Sequence, residues 1–295
     1  KRFTPDLVRL ENHQRYHLTH PLLQAVEYWI TPQLFEQDLG TSCRHPVQIT
    51  IGDPDELTRL RQVSNSISLG FCYLTLRQSP RLNKAQAQRL VSLIHRSTLL
   101  ETLPLDEDLI APSNEVLPGW SIPQWPENHD TPLPERLTLL YHLPVELHAM
   151  ADRLRQRLAE LGCELTIIFH DAKNWDGCQQ FAQADLMMGD RLIGEAPVYA
   201  LEQWLRCDVL WPNLLTGAQY AHLQATLDAV QSLPDERSRS EALRNVFNSL
   251  MDDAIMTPLF NYNYRISAPP GVNGLRLNAR GWFDFASAWL PASAP

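Results

Sequence analysis

Between Leu137 and Phe169 the sequence fixes its own local topology. Leu137–Tyr141 (LTLLY) has the composition of a strand, and Glu164–Phe169 (ELTIIF) has it again. Between them Leu147, Met150, Leu154, Leu158 and Leu161 recur at helical spacing, with Pro144 where a first helical turn tolerates proline and Gly162 placed to end the helix. A helix that returns the chain to a second strand after this length implies parallel strands joined by a right-handed crossover. Ala184–Met188 (ADLMM) supplies a candidate third strand. The expected fold class is therefore α/β, with a mainly parallel sheet flanked by helices.

The rest of the chain is consistent with that core. Asp6–Asn12, Ala25–Ile30, Pro46–Ile51, Ser68–Leu76 and Leu259–Ile266 read as further strands. Pro54 opens a short helix through Val63, and Asn83 caps a longer one carrying Leu90, Val91, Ile94 and Leu99. Two more helices are expected, one over Ala218–Ser232 and one starting at Pro234, with Asp235 and Glu236 in its first turn and Leu243, Val246, Phe247, Leu250 and Met251 as its stripe. Pro104, Pro112, Pro118, Pro123, Pro126, Pro132 and Pro134 fall close together, and proline lacks the amide that ladders need, so this stretch reads as a long surface crossing.

Composition narrows the function. The 295 residues are 44% hydrophobic, enough to bury a sizeable core. A net charge of −9 with scattered cations gives no footprint for DNA, and Arg153, Arg155 and Arg157 alternate with Asp152 and Glu160 as a solvated helix face does. The five cysteines are odd in number and lack CxxC spacing, which points to a reduced, cytoplasmic protein. No apolar run is long enough to span a membrane, so no membrane partner is expected. No nucleophile elbow, Walker loop, zinc helix or dinucleotide turn occurs. Cys43-Arg44-His45 and His170-Asp171 are too sparse for a closed zinc site, and Asp252-Asp253 diverge on a helix. Neither a catalytic centre, a cofactor nor a metal is expected.

Collinear segments point to a family. Leu10-Glu11-Asn12-His13-Gln14-Arg15-Tyr16 followed by Val26-Glu27-Tyr28-Trp29-Ile30, the strand Leu69–Leu76 before a long helix, the Leu137–Phe169 unit, and Gly271–Gly274 ahead of Gly281-Trp282-Phe283-Asp284-Phe285 resemble family 5 extracellular solute-binding proteins. Ile193-Gly194-Glu195-Ala196-Pro197, Leu201-Glu202-Gln203-Trp204-Leu205 and Ile266-Ser267-Ala268-Pro269-Pro270 look more narrowly like the SgrR-type transcription regulators and their YbaE branch. The resemblance implies a periplasmic-binding-protein-like fold of type II: residues 1–30 as first-lobe or hinge strands, 31–258 as the second lobe, and 259–295 as return strands and tail. It also implies a winged helix, N-terminal to this chain, as the sole DNA contact.

Ligand contacts would then sit at strand ends and the loops after them. In peptide-binding relatives an aspartate a few residues before a proline meets the peptide's amino terminus. Here Ile193 stands at that place, with Asp190, Arg191 and Glu195 around it. Arg191 can fork onto a carboxylate or phosphate, or it can pair with Asp190 or cap the next helix. Trp175 and Trp204 suit a sugar ring or the core, and Asn261 and Asn263 share one strand face. The expected partner is a small-molecule effector: sugar, sugar phosphate or peptide. Two competing readings share these signals: a periplasmic solute-binding protein of a transporter, and a degenerate lobe serving as an interaction scaffold.

Overall fold

A computed structural model describes residues 2–4, 7–13, 22–29, 50–52, 63–96, 110–125, 130–141, 146–170, 179–194, 196–268, 273–274 and 284–289. The chain divides into two compact units, residues 1–68 with 263–295, and residues 69–262. In the first unit β1 (Arg2–Thr4), β2 (Leu7–Glu11) and β3 (Ala25–Trp29) form an antiparallel meander, and β4 (Thr50–Gly52) pairs antiparallel with the tail of a long strand, Arg265–Ser267.

The second unit is built on β5 (Val63–Leu76, its end), α1 (Lys84–Arg96), β6 (Ile110–Pro112), β7 (Arg136–Tyr141), α2 (Glu146–Glu160), β8 (Glu164–Phe169), β9 (Leu186–Leu192), α3 (Pro197–Cys207), α4 (Leu210–Leu214), α5 (Gly217–Gln231), α6 (Glu236–Asp252) and the start of β10 (Met256–Ala268). Its strands lie in the order β10-β5-β9-β7-β8, with β6 antiparallel on β10. The sheet is mixed. β7 is parallel to both β8 and β9, while β9 is antiparallel to β5.

The parallel half follows from the strand–helix–strand pattern. Leu147, Met150, Leu154 and Leu158 are fully buried, which at roughly 1.5–3 kcal/mol per side chain anchors α2 to the sheet. Gly162 adopts φ +79°, and the Cys163 N–H reaches back to the Leu158 carbonyl at 2.9 Å, stopping the helix in time for β8. α1 begins with a reciprocal cap: Asn83 Oδ1 accepts the Gln86 N–H and Gln86 Oε1 accepts the Asn83 N–H, both at 3.0 Å. Thr216 and Gln219 do the same for α5. Asp235 is the cap of α6 rather than part of its first turn; its carboxylate accepts the Ser238 N–H, and that bond lowers its pKa.

Two differences from sequence expectation stand out. α3 and α4 are helices where no helix was expected, and α3 buries Ala200, Leu201, Trp204 and Leu205 along one face. The proline-rich crossing is partly core: Val116, Leu117, Trp120 and Trp125 are buried, and the Trp125 indole donates to the Met251 carbonyl at 2.9 Å. Proline forbids ladder pairing but not burial of the aromatic beside it. Residues 54–62 of the helix expected through Val63, Leu99, and Cys43-Arg44-His45 lie outside the described residues, and Val63 itself begins β5.

Candidate functional site

In open α/β sheets ligands bind beyond the carboxyl ends of the strands, where the chain reverses its order of travel. Here the connection from β7 leads to β8 on one side, and the chain then crosses to β9 on the other. β7 ends at Tyr141, whose Cα partners are Phe169 at the end of β8 and Met188 in β9. β9 continues past that end. Its residues Gly189, Asp190, Arg191 and Leu192 pair with Tyr73, Cys72, Phe71 and Gly70 of β5, and no described strand pairs with them on the β7 side. A Cβ on Gly70 would meet the Arg191 carbonyl at 2.0 Å, so only glycine allows β5 to follow the overhang this closely. Gly194, at φ +52°, then turns the chain toward Pro197 at the start of α3.

An aromatic group sits at the same carboxyl edge. The rings of Tyr141 and Phe169 are 5.4 Å apart, and His148 from the first turn of α2 lies 5.3 Å from Tyr141 and 5.8 Å from Phe169. The Tyr141 hydroxyl is hydrogen-bonded to His148 Nδ1. Tyr141 is buried, Phe169 is 48% exposed and His148 is exposed. Burial, and then the Asp152 charge, raise the Tyr141 phenol above its ordinary value, so it stays protonated. Sequence reasoning passed over this group. Its signal was legible: both parallel strands end in an aromatic followed by histidine, Tyr141-His142 and Phe169-His170.

The residues singled out from sequence fall apart into different surroundings. Arg191 points to the face carrying Phe71, and its Nη2 donates to the Ala200 carbonyl of α3 at 3.1 Å. This bond ties the guanidinium to α3, one of the alternatives the sequence left open. Trp204, only 1% exposed, is likewise core and not a stacking platform. It packs 4.7 Å from Tyr73, 6.0 Å from Phe71 and 4.9 Å from Trp211, because α3 lies flat on the sheet and must bury its widest side chain. Asp190, opposite Cys72, projects to the other face and is half-buried. Asn261 is half-buried on β10, opposite Ala111. Glu195, Trp175 and the side chain of Asn263 lie outside the described residues.

Other polar groups are structural. Asp185, at the amino end of β9, accepts the Thr138 N–H at 2.9 Å and faces Arg81 at 3.4 Å. Glu202 and Asp228 hold Arg206 at 3.3 and 2.6 Å. Arg155–Asp152 and Arg157–Glu160 are exposed pairs on α2, a solvated face. Among the described residues no group of three His, Cys, Asp or Glu side chains can hold a metal ion, and no helix is long and apolar enough to cross a membrane.

This fold, with its carboxyl-edge site, is the type II periplasmic-binding-protein fold. The structure is similar to a putative peptide-binding protein AppA from Clostridium difficile (TM-score 0.71, 13% identity, 98% of this chain and 66% of that one). It is equally similar to NikA from Brucella suis in complex with Fe(III)-EDTA (TM-score 0.70, 12% identity, 98% and 66%). In sequence the chain is 67% identical over 290 residues to the uncharacterized protein YbaE of Escherichia coli, covering 98% of this chain and 51% of that one. It is 25% identical over 290 residues to the HTH-type transcriptional regulator SgrR of Yersinia pestis, covering 96% and 48%. The chain thus spans about half the length of the curated relatives it matches. No family model matches it.

Proposed function

We propose that the chain is the ligand-sensing, solute-binding part of a bacterial winged-helix transcription regulator, and that it grips a small metabolite without making or breaking a bond. The observation that carries this reading is the β9 overhang above the carboxyl ends of two parallel strands, inside a fold whose known members are binding proteins. The likeness to SgrR along nearly the whole chain supports the regulatory role. DNA contact would belong to an N-terminal domain of the longer protein, and the unit 69–262 would carry the second lobe. Asp190 and Glu195, on either side of the end of β9, are the proposed polar contacts. The odd number of cysteines and their lack of CxxC spacing favour a reducing, cytoplasmic setting. Burial pushes the Cys163 thiol up to about 11, so it is inert.

A second reading has its own support, since one similar structure is an ABC transporter substrate-binding protein, CtaP from Listeria monocytogenes. Transcript profiling after deletion of Escherichia coli YbaE separates the two, because a regulator changes its target transcripts and a transporter component changes uptake. Binding itself is tested by melting the chain against sugars, sugar phosphates and short peptides. A native-state ligand raises Tm and is recovered chemically unchanged. A consumed compound overturns the reading.

A further inference from the structure

We propose that Tyr141, His148 and Phe169 form a stacking subsite at the carboxyl edge of the sheet. It would take a ligand that presents a flat, uncharged ring face with a hydrogen-bonding group beside it. The inference rests on the ligand-binding reading above and names the chemistry of its ligand.

Three observations converge. First, the group is solid, not hollow. Ring centroids 5.3–5.8 Å apart leave no room for a guest between the rings, so the free surface is the outer part of Phe169, which is 48% exposed at the end of β8, the edge strand of the sheet. Second, the ring is held. Tyr141 and His148 meet it at 54° and 76°, and β7 and α2 fix these two neighbours, so little conformational entropy is lost when a ligand stacks. Third, a polar group stands beside the ring. His148 is exposed and hydrogen-bonded through Nδ1 to the Tyr141 hydroxyl, so its imidazole is held where it can hydrogen-bond a ligand stacked on Phe169. The subsite is in the crevice that the strand order marks for ligands, beside the end of β7 past which Gly189–Leu192 overhang.

A pyranose and an aromatic side chain both fit this description. The probes are therefore methyl α-glucopyranoside and N-acetylphenylalaninamide, titrated into the full chain and followed by saturation-transfer NMR and line broadening. At least one probe is expected to bind through its ring protons, and the probe that does so identifies the source of the ring. Phe169→Ala is expected to weaken it about five- to tenfold, while Phe169→Trp retains or improves it. His148→Ala should weaken the same probe and His148→Gln, which keeps a hydrogen-bonding group, should weaken it less. Binding that is unchanged in Phe169→Ala, or no ring-proton transfer from either probe to the wild-type chain, overturns the subsite. The melting panel separates this from failure of the broader reading. A ligand that raises Tm equally in wild type and Phe169→Ala removes the subsite and leaves the binding domain standing, whereas a panel in which nothing raises Tm removes both.

Discussion

The second unit contains two aromatic clusters of nearly the same chemistry, with opposite positions. Phe71, Tyr73, Trp204, Trp211 and Phe247 are all at most 3% exposed and lie between the middle of the sheet and the helices that cover it. Burial, and then the charges of Asp208 and Asp190, drive the Tyr73 phenol well above its ordinary value, so this cluster keeps its protons and stays neutral. Tyr141, His148 and Phe169 instead grade from buried to exposed within one contact group. What separates them is the place of each strand in the sheet. Phe71 and Tyr73 lie on β5, an interior strand covered by α3, whereas Phe169 ends β8, the edge strand.

Mutations can break this comparison, and the largest effect belongs to the covered cluster. Trp204→Ala should cost about 3–5 kcal/mol of unfolding free energy in urea titration. Trp204→Phe should cost far less, because the Trp204 indole N–H is buried without a hydrogen-bond partner. If Trp204→Ala leaves stability intact, the assignment of that cluster to the core is wrong.

A second contrast lies between two histidines. His148 is exposed, while His95 is half-buried against Trp125, with rings 5.6 Å apart and Nε2 2.7 Å from Thr257 Oγ1, and desolvation lowers its pKa to about 4. Below about pH 6.5 the unfolded chain binds a proton there that the folded chain refuses. The stability contributed by neutral His95 is therefore whole above about pH 6.5 and is lost as pH falls toward 4, by about 3 kcal/mol at the lower end. Urea titrations at pH 7 and pH 4.5 should show this loss in wild type and a smaller one in His95→Gln.

Smaller effects test the frame. Asn83→Ala removes one half of the α1 cap and should cost about 1 kcal/mol in the same titration. Arg155→Ala, on the solvated face of α2, should cost less than about 0.5 kcal/mol. Phe169→Ala belongs with these small values, and a cost near that of Trp204→Ala would make Phe169 a core residue.

The parallel half of the sheet was legible because its pattern is local. Leu147, Met150, Leu154 and Leu158 declare one helix face, and Gly162 declares its end. The antiparallel entry of β5 beside β9 was not legible, since pairing between residues 70–76 and 186–192 leaves no periodic mark in either segment. α3 was legible in principle, since Pro197 opens it and Ala200, Leu201, Trp204 and Leu205 recur on one face. For the candidate site, the structure separates the side chains that sequence grouped together. Asp190 and Arg191 do lie on the overhanging end of β9, but strand alternation sends Arg191 under α3. The aromatic edge went unread because Tyr141 and Phe169 are 28 residues apart in sequence and become neighbours only through parallel register.

Backbone amide exchange of the chain, with and without whichever compound of the melting panel raises Tm most, tests the central claim most directly. Ligand held at the carboxyl edge should slow exchange at Gly189–Leu192 and around His148 and Phe169, leave α6 unchanged, and be released with its mass intact. Protection confined to the Tyr73–Trp204 cluster, or a ligand recovered as a different compound, would contradict it.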